Sequence, residues 1–139
     1  MKLIINIPAY NEAEKIGETI RRIPRSFEGI DEVTIHVVDD GSNDHTDRVA
    51  RDAGADRVIV HARNKGLGRA FRTSVEAALE AGADIMVNID ADGQFDPNDI
   101  NTLIKPVLSG ESDIVSADRF GEHAAHNIPL IKDRLNRLA

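Results

Sequence analysis

The stretch DIMVNIDADGQFDP, residues 84–97, takes the chain from a buried strand through a loop into a helix. Its first half is mostly apolar and ends in an acid, which is typical of a short strand buried in a parallel sheet. Gly93 and the acids beside it indicate a loop. Asp96 and Pro97 predict a helix start, because aspartate caps helices and proline at the first helical position leaves no amide hydrogen unpaired. The stretch therefore predicts one strand–loop–helix unit.

Similar units occur before and after this stretch. The other runs that predict strands occupy residues 2–9, 32–40, 56–61 and 112–119. Between the strands the apolar residues follow helical spacing; Phe71, Val75, Ala78 and Leu79, for example, predict a helix that ends near Gly82. The alternation predicts an α/β fold, a three-layer sandwich with a mainly parallel sheet and helices on both faces.

The composition restricts the class of protein. A chain of 139 residues, 41% of them apolar, has the size of one domain and can bury a core. The net charge of −7 argues against a nucleic-acid partner, which usually requires a basic surface. The absence of cysteine excludes disulfides and thiolate metal sites. No apolar run approaches the roughly 20 residues of a membrane span, and a cytoplasmic protein is expected.

The last residues, PLIKDRLNRLA (129–139), follow helical spacing and carry an apolar stripe. The stripe consists of Leu130, Ile131, Leu135 and Leu138. No later element is present to cover it, and we therefore expect residues 1–139 to form a single domain that is truncated at its C-terminal end. The stripe would pack on a missing element, on a second copy of the chain in a homo-oligomer, or on a membrane surface.

The residues most suited to binding a ligand or taking part in a reaction follow the predicted strands. In a parallel sheet, the loops beyond the carboxyl ends of the strands meet at one edge, where ligands bind. The segments that carry these residues are 8–12, 39–43, 64–68, 90–94 and 118–119. Their convergence predicts a ligand site at this edge, and it is stronger evidence than any single motif.

The sequence Asp90-Ala91-Asp92 is the clearest single motif. Strand alternation places both carboxylates on the same side, where they repel each other unless a cation lies between them. Carboxylate oxygens suit Mg²⁺ or Mn²⁺, and Gln94 offers a further oxygen, so Asp90, Asp92 and Gln94 are the predicted metal ligands. The acids and Gly93 are also compatible with an ordinary turn. A further alternative is a haloacid-dehalogenase-like phosphatase, in which the first aspartate is the nucleophile and the second the acid or base.

Two other segments have more than one interpretation. VVDDGSND (37–44) is either a turn with a helix cap or a carboxylate site for a base or ribose. NKGLGRA (64–70) lacks the third glycine of a dinucleotide fingerprint, but a glycine-rich helix start with Lys65 and Arg69 favours an anion. The histidines, His61 among them, show no metal-ligand spacing and are interpreted as solvated or structural.

Four motifs occur in a fixed order: IPAYNEAEKI, VVDDGSNDHT, NKGLGRA and NIDADGQFDP. Together they resemble family 2 glycosyltransferases of the GT-A fold. Within that family the chain is most similar to dolichyl- or polyprenyl-phosphate mannosyl- and glucosyltransferases. The resemblance covers essentially the whole chain and implies a Rossmann-like, nucleotide-sugar-binding half of a longer enzyme.

The resemblance implies roles for individual residues. Those implied to contact the nucleotide sugar are Pro8, Tyr10, Glu12, Val38, Asp39, Asp40, Asp90, Ala91 and Asp92. Lys65 joins this set as the cation of the glycine-rich helix start. Asp92 and Arg119 are implied to be catalytic, with Arg119 near the phosphates. Lys132 is implied to face the acceptor, and Arg134 competes for that role.

The implied reaction is metal-dependent, inverting transfer of a hexose from a GDP- or UDP-linked sugar. A cation between Asp90, Asp92 and the diphosphate would stabilise the negative charge that develops on the leaving group. A lipid-phosphate acceptor is already ionised at pH 7 and needs no protein base, whereas a glycan hydroxyl does. A lipid acceptor places the reaction at the cytoplasmic face of a membrane. The remaining alternative is a nucleotide-binding domain that has lost catalysis.

Overall fold

The computed structural model describes residues 1–117 and contains a four-stranded, fully parallel sheet. The strands are β1 (Lys2–Ala9), β2 (Glu32–Asp39), β3 (Arg57–Val60) and β4 (Ile85–Asn88). Their order across the sheet is β3-β2-β1-β4. The first strand therefore lies inside the sheet, which agrees with the continuous apolar run of KLIINIPA.

A helix follows each strand. The helices are α1 (Ala13–Arg22), α2 (Thr46–Asp52), α3 (Leu67–Glu80) and α4 (Ile100–Leu108). A short 3₁₀ turn, Pro97–Asp99, leads into α4, and the Asp96 side chain accepts a hydrogen bond from the Asn98 amide. This is the cap that the Asp96-Pro97 pair predicts. The α/β architecture expected from the alternating pattern is confirmed.

One face of the sheet forms the main core. Alternate residues of β1, including Leu3 and Ile5, pack with Ile35 of β2 beneath α1, α2 and α4. The helix side chains buried in this cluster include Ile16, Ile20, Ala50, Ile100 and Ile104. Full burial of one isoleucine contributes about 1.5–3 kcal/mol, so this cluster fixes the sheet on which the loops are mounted.

The opposite face of the sheet is covered by α3, which contacts β1 and β2. The helix approaches through small residues: Ala70, Ser74, Ala77 and Ala78 are buried. Of the four residues that predicted this helix, only Ala78 is buried, and Phe71 and Leu79 are 44% and 71% exposed. The helix was predicted correctly, but small residues rather than large apolar ones form its buried face, because they allow close approach to the sheet.

The fifth strand predicted for residues 112–119 is not present in its described part. Residues 112–117 form no strand, and Ile114 is 87% exposed. Apolar residues alone do not make a strand, since its amides need a neighbouring ladder, and in the described range this segment does not pair with β4. Asp118 and Arg119 lie outside the described residues.

Candidate functional site

The loops that follow the four strands lie at the carboxyl edge of the sheet. They are the β1 loop (10–12), the β2 loop (40–45), the β3 loop (61–66) and the β4 loop (89–96). The β1 and β2 loops are joined by a reciprocal pair of hydrogen bonds. The Asn11 amide donates to Ser42 Oγ at 2.8 Å, and the Asn43 amide donates to Asn11 Oδ1 at 3.1 Å. Asn11 adopts a positive φ of 54°, a conformation that asparagine tolerates better than most residues.

Asp44 ties the start of α1 to the start of α2. Its Oδ2 accepts a hydrogen bond from the Ala13 amide at 3.1 Å, and its Oδ1 accepts from the Thr46 amide at 3.1 Å. Thr46 Oγ1 in turn accepts from the Glu12 amide at 2.9 Å. Burial acts to raise the pKa of Asp44, but the hydrogen bonds from Thr46 and Ala13 outweigh it and lower that pKa. Asp44 therefore accepts hydrogen bonds from the first residues of both helices, while the N-cap position of α2 itself is occupied by His45.

Asp39 and Asp40 are both buried and both engaged. Asp39 Oδ1 accepts a hydrogen bond from the Ser42 amide at 2.9 Å. The Asp40 carboxylate accepts from the Lys65 amide at 3.0 Å and from the Gly66 amide at 2.7 Å. It also lies 2.6 Å from His61 Nδ1. Burial acts to raise the pKa of Asp40, but hydrogen bonds from His61, Lys65 and Gly66 outweigh it and hold that pKa below its ordinary value.

The β2 and β3 loops pass very close to each other at Gly41. A Cβ placed there would lie 2.7 Å from both Arg63 Cα and the Asn64 nitrogen. Gly41 also has a φ of +77°, which side-chain-bearing residues rarely adopt. Glycine is therefore required at this position for two independent reasons, space and backbone conformation.

The β4 loop carries the two acids of the metal motif. Asp92 Oδ1 accepts a hydrogen bond from the Gln94 amide at 3.0 Å, and both Asp90 and Asp92 are half-buried. Ala91 between them is buried, and its carbonyl accepts a hydrogen bond from Thr19 Oγ1 of α1 at 3.2 Å. The loop is thereby anchored to the main core on one side.

The pKa of Glu12 in the β1 loop is affected by acids of the β2 and β4 loops. The pKa of Glu12 is raised, first by burial and then by the negative charges of Asp92, Asp44 and Asp90, against the opposing effect of Lys15. Residues far apart in the sequence therefore generate one region of negative potential. Such a region favours a cation.

The donor set fits a magnesium- or manganese-type ion. Within residues 1–117 no group of three or more acids or histidines is arranged to hold a metal unaided. Mg²⁺ is ordinarily bound through one or two carboxylates together with substrate phosphates, so the pair Asp90 and Asp92 meets that requirement. Gln94, the third predicted ligand, lies in the same loop.

The other predicted site residues occupy different environments. Pro8 and Val38 are buried near the ends of β1 and β2, whereas Tyr10 is 47% exposed on the β1 loop. Lys65 has an exposed side chain on a backbone held by Asp40. Arg119 and Lys132 lie outside the described residues.

A cleft of about 720 Å³ runs along β4 and reaches the β4 loop. Its wall includes Met86 of the strand, Phe71 of α3, and Asp90 and Gln94. Two of the three predicted metal ligands, Asp90 and Gln94, therefore border this cleft, whereas Asp92 is not among the described residues of its wall. No helix of residues 1–117 has the length and apolar character needed to cross a membrane.

His61 is interpreted from the sequence as solvated or structural, and its environment fits the structural alternative. It is buried, with Nδ1 against Asp40 and Nε2 3.0 Å from Thr73 Oγ1, contacts that the sequence did not reveal. The available signal was its position directly after β3, at the edge where the other site residues lie.

Comparison with known proteins agrees with this geometry. The model of the family "Glycosyl transferase family 2" matches residues 4–127. The chain is 34% identical over 143 residues to the UDP-N-acetylglucosamine–dolichyl-phosphate N-acetylglucosaminyltransferase of Methanococcus voltae, covering 91% of this chain and 55% of that protein. It is 36% identical over 123 residues to the dolichol-phosphate mannosyltransferase of Pyrococcus furiosus, covering 86% and 34% respectively. The resemblance drawn from the motifs is confirmed.

Solved structures give the same result for the fold. The glucosyl-3-phosphoglycerate synthase of Mycobacterium tuberculosis, crystallised with Mn²⁺, UDP-glucose and phosphoglyceric acid, superposes with a TM-score of 0.63 at 31% identity. The match covers 79% of this chain and 40% of that one. The chain thus spans about half, or less, of the length of these similar proteins.

Proposed function

The chain belongs to glycosyltransferase family 2, and we propose that it binds a nucleoside diphosphate sugar with a divalent metal for transfer of the sugar to a lipid phosphate. The observation that carries the proposal is the convergence of acids from three loops on one edge of the sheet, where the charges of Asp92, Asp44 and Asp90 add to the effect of burial on the pKa of Glu12. The phosphatase alternative has no support from the family match.

The diphosphate would be held at the β4 loop. Asp90 and Asp92 bind the cation in this proposal, with Gln94 as a further oxygen donor. A bound Mg²⁺ or Mn²⁺ supplies Lewis-acid stabilisation of the charge that develops on the leaving diphosphate. Lys65, which extends from the start of α3, adds a second positive charge to the same group. Similar solved structures containing Mn²⁺ with UDP-glucose, and Mg²⁺ with UDP, support this assignment.

The nucleoside would lie over the β1 and β2 loops. Tyr10 is exposed and offers an aromatic face, and Pro8 and Val38, buried near the ends of β1 and β2, are the proposed apolar contacts. Glu12, Asp39 and Ala91 complete the set of proposed contacts. Asp40 belongs to the same proposal, although its carboxylate already accepts several hydrogen bonds within the protein.

The acceptor is proposed to be a polyprenyl phosphate. A phosphate oxyanion is a nucleophile at pH 7 without a protein base, and direct attack on the anomeric carbon inverts its configuration. The Methanococcus and Pyrococcus relatives, which are named for dolichyl phosphate, support this choice. Arg119 near the phosphates and Lys132 near the acceptor are part of the proposal. The reaction would take place at the cytoplasmic face of a membrane.

Thermal unfolding of the chain with nucleoside diphosphates tests the proposal. UDP, GDP, CDP and dTDP would each be added with Mn²⁺ and with EDTA. Ligand that binds only the folded state at a hundredfold excess over Kd stabilises it by about 2.7 kcal/mol, which is readily measured. We expect UDP or GDP to raise the melting temperature in Mn²⁺ only. No shift with any nucleotide would refute the proposal, and equal shifts in EDTA would refute the metal.

Transfer is tested separately from binding. We propose that residues 1–139 are the nucleotide-sugar half of the enzyme, so that binding occurs but transfer is slow. Positioning of an acceptor can supply roughly 7–11 kcal/mol of a barrier, and the proposed acceptor contacts lie late in the chain. Incubation with a radiolabelled nucleotide sugar, Mn²⁺ and polyprenyl phosphate measures this. Product formed as fast as by a full-length relative would show that the half-enzyme proposal is wrong.

A further inference from the structure

The Asp40 carboxylate determines the path of the β3 loop. Two consecutive amides of that loop, those of Lys65 and Gly66, donate to it at 3.0 and 2.7 Å. A carboxylate that accepts two backbone amides restricts both peptide units at once. Gly66 has a φ of +89° and immediately precedes α3, so the geometry of the helix start depends on this contact.

Asp40 is itself held by His61. The Nδ1···Oδ1 distance is 2.6 Å, and the two side chains are only 7% and 6% exposed. Because an ionised carboxylate only accepts hydrogen bonds, Nδ1 carries the hydrogen and donates it. On the other side of the ring, Nε2 lies 3.0 Å from Thr73 Oγ1, which fixes the imidazole against α3. The His61 amide, moreover, donates to the Asp39 carbonyl at 2.8 Å. The His61 imidazole therefore connects Asp40, which follows β2, to Thr73 of α3, and the hydrogen bond of the His61 amide holds its backbone in place.

Lys65 is the residue that this arrangement presents to solvent. Its backbone nitrogen is bound by Asp40, but its side chain is exposed at the edge where the other loops converge. A flexible lysine on a flexible loop would lose conformational freedom on binding an anion, whereas a lysine on a fixed backbone loses less. The contact network therefore reduces the entropic cost of placing the ammonium group.

We propose that His61 is a positioning residue of the donor site, which holds Asp40 so that Asp40 fixes the Lys65 backbone and directs the Lys65 ammonium group to the diphosphate. This inference rests on the proposed function. His61 does not touch the nucleotide in this arrangement; it acts through Asp40 and the β3 loop. Its effect on binding should therefore require Lys65.

A double-mutant cycle tests this dependence. The affinity of the full chain for UDP and GDP with Mn²⁺ would be measured by calorimetry for four proteins: unaltered, His61→Leu, Lys65→Ala, and the double variant. Partners that orient a ligand-binding group typically change affinity by about 10–100-fold, and we expect at least a tenfold loss for His61→Leu. In the Lys65→Ala background the same substitution should cost less than about twofold, because the group it positions is gone.

Two further variants separate positioning from general damage. His61→Asn retains an N–H donor near the Nδ1 position and should recover most of the affinity lost in His61→Leu. His36→Leu removes another buried imidazole from β2, away from the loops, and should leave the affinity unchanged. Amide hydrogen exchange gives a local readout: the Lys65 and Gly66 amides should exchange faster in His61→Leu, with or without nucleotide.

The outcomes distinguish this inference from the proposed function. If the unaltered chain binds neither diphosphate, the proposed function fails. If the unaltered chain binds and His61→Leu binds as tightly, the inference alone fails. Equal losses for His61→Leu in both backgrounds, or failure of His61→Asn to recover affinity, would also overturn it.

Discussion

The β2 and β4 loops both bring carboxylates to the same edge of the sheet, but the protein uses them differently. In the β2 loop, Asp40 accepts hydrogen bonds from the β3 loop, and Asp44 accepts them from the starts of α1 and α2. The pKa of each is lowered. In the β4 loop, Asp90 and Asp92 add negative charge that, after burial itself, raises the pKa of Glu12. The first pair of acids is stabilised in its ionised form, and the second makes ionisation of a neighbour more difficult.

This difference indicates which acids maintain the structure and which create a binding site. A carboxylate that accepts backbone amides from another element of the fold is part of the framework, since its removal leaves those donors unsatisfied. Asp40 and Asp44 both do so, whereas Asp92 accepts the Gln94 amide of its own loop. Asp90 and Asp92 instead place negative charge near Glu12, an arrangement that a cation would relieve. We therefore interpret the acids of the β2 loop as structural and those of the β4 loop as a binding site for a cation.

The largest expected effect is that of Gly41→Ala, which tests the rigidity of the β2 loop. The new Cβ would lie 2.7 Å from Arg63 Cα and the Asn64 nitrogen, at a φ of +77°. The left-handed conformation alone costs an alanine about 1–2 kcal/mol, and the backbone contact adds to it. We expect a total loss of more than about 3 kcal/mol in the free energy of unfolding, measured by urea denaturation.

Gly82→Ala is the matched control for this variant. Gly82 has a φ of +71°, but a Cβ there meets nothing within 4 Å. It should therefore show only the conformational cost of about 1–2 kcal/mol. If Gly41→Ala costs no more than Gly82→Ala, the β2 and β3 loops can move apart, and the β2 loop is not rigid.

Asp92→Ala tests the β4 loop. Loss of one of two carboxylates that hold a cation should weaken binding of UDP or GDP in Mn²⁺ by about 100-fold, equivalent to roughly 2.7 kcal/mol. Without metal, the same variant should be as stable as the unaltered chain or slightly more so, because it relieves repulsion. Calorimetry and urea denaturation measure the two effects. Glu18→Ala removes an exposed carboxylate from α1 and should affect neither. A marked loss of metal-free stability in Asp92→Ala would place Asp92 among the structural acids.

Asp44→Asn tests whether the β2 loop depends on ionisation. The substitution removes the charge from an acceptor shared by Ala13 and Thr46, and should cost about 1–2 kcal/mol at pH 7. A lowered pKa stabilises the fold above the ordinary value of 3.8, and that stabilisation is lost as pH falls through the folded-state pKa below it. The stability difference between the two proteins should therefore shrink between pH 5 and about pH 2. The exposed Asp52→Asn variant should track the unaltered chain, and a difference for Asp44→Asn that stays constant with pH would contradict the prediction.

The strand ends and their loops could be predicted from the sequence because each signal is local. Runs such as KLIINIPA fix a strand, and the Asp96-Pro97 pair fixes a helix start, without knowledge of the rest of the chain. The pattern also placed Asp90 and Asp92 at the carboxyl end of β4, but β4 ends at Asn88, so strand alternation does not extend to the two carboxylates. It could not assign the buried face of α3, since the burial of Ala70 and exposure of Leu79 depend on how closely the helix approaches the sheet.

Contacts between distant loops were not accessible from the sequence. The hydrogen bond from the Ala13 amide to Asp44 joins residues 31 positions apart, and that from Lys65 to Asp40 joins residues 25 apart. Spacing along the chain gives no measure of such distances. For the same reason the contact of Asp44 with the start of α1 and that of His61 with Asp40 could not be predicted.

Glu12→Gln carries the smallest expected effect and the most direct test of the comparison, because Glu12 lies between the two loops. Its pKa is raised above the ordinary 4.5, so the folded state holds this proton to a higher pH than the unfolded state. The free energy of unfolding should consequently decline as pH rises above 4.5. The decline ends once the pH exceeds the folded-state pKa and Glu12 is fully ionised in the folded protein. Glutamine carries no charge, so in EDTA at pH 7 the variant should be more stable by about 0.5 kcal/mol or less, and this part of the pH dependence should disappear.

Repeating the measurement in Asp92→Ala should reduce the gain in stability, since Asp92 is the largest of the acidic contributors to the raised pKa of Glu12. A gain that is the same with and without Asp92 would mean that Asp92 does not contribute to the raised pKa of Glu12, and would contradict the negative potential assigned to that residue.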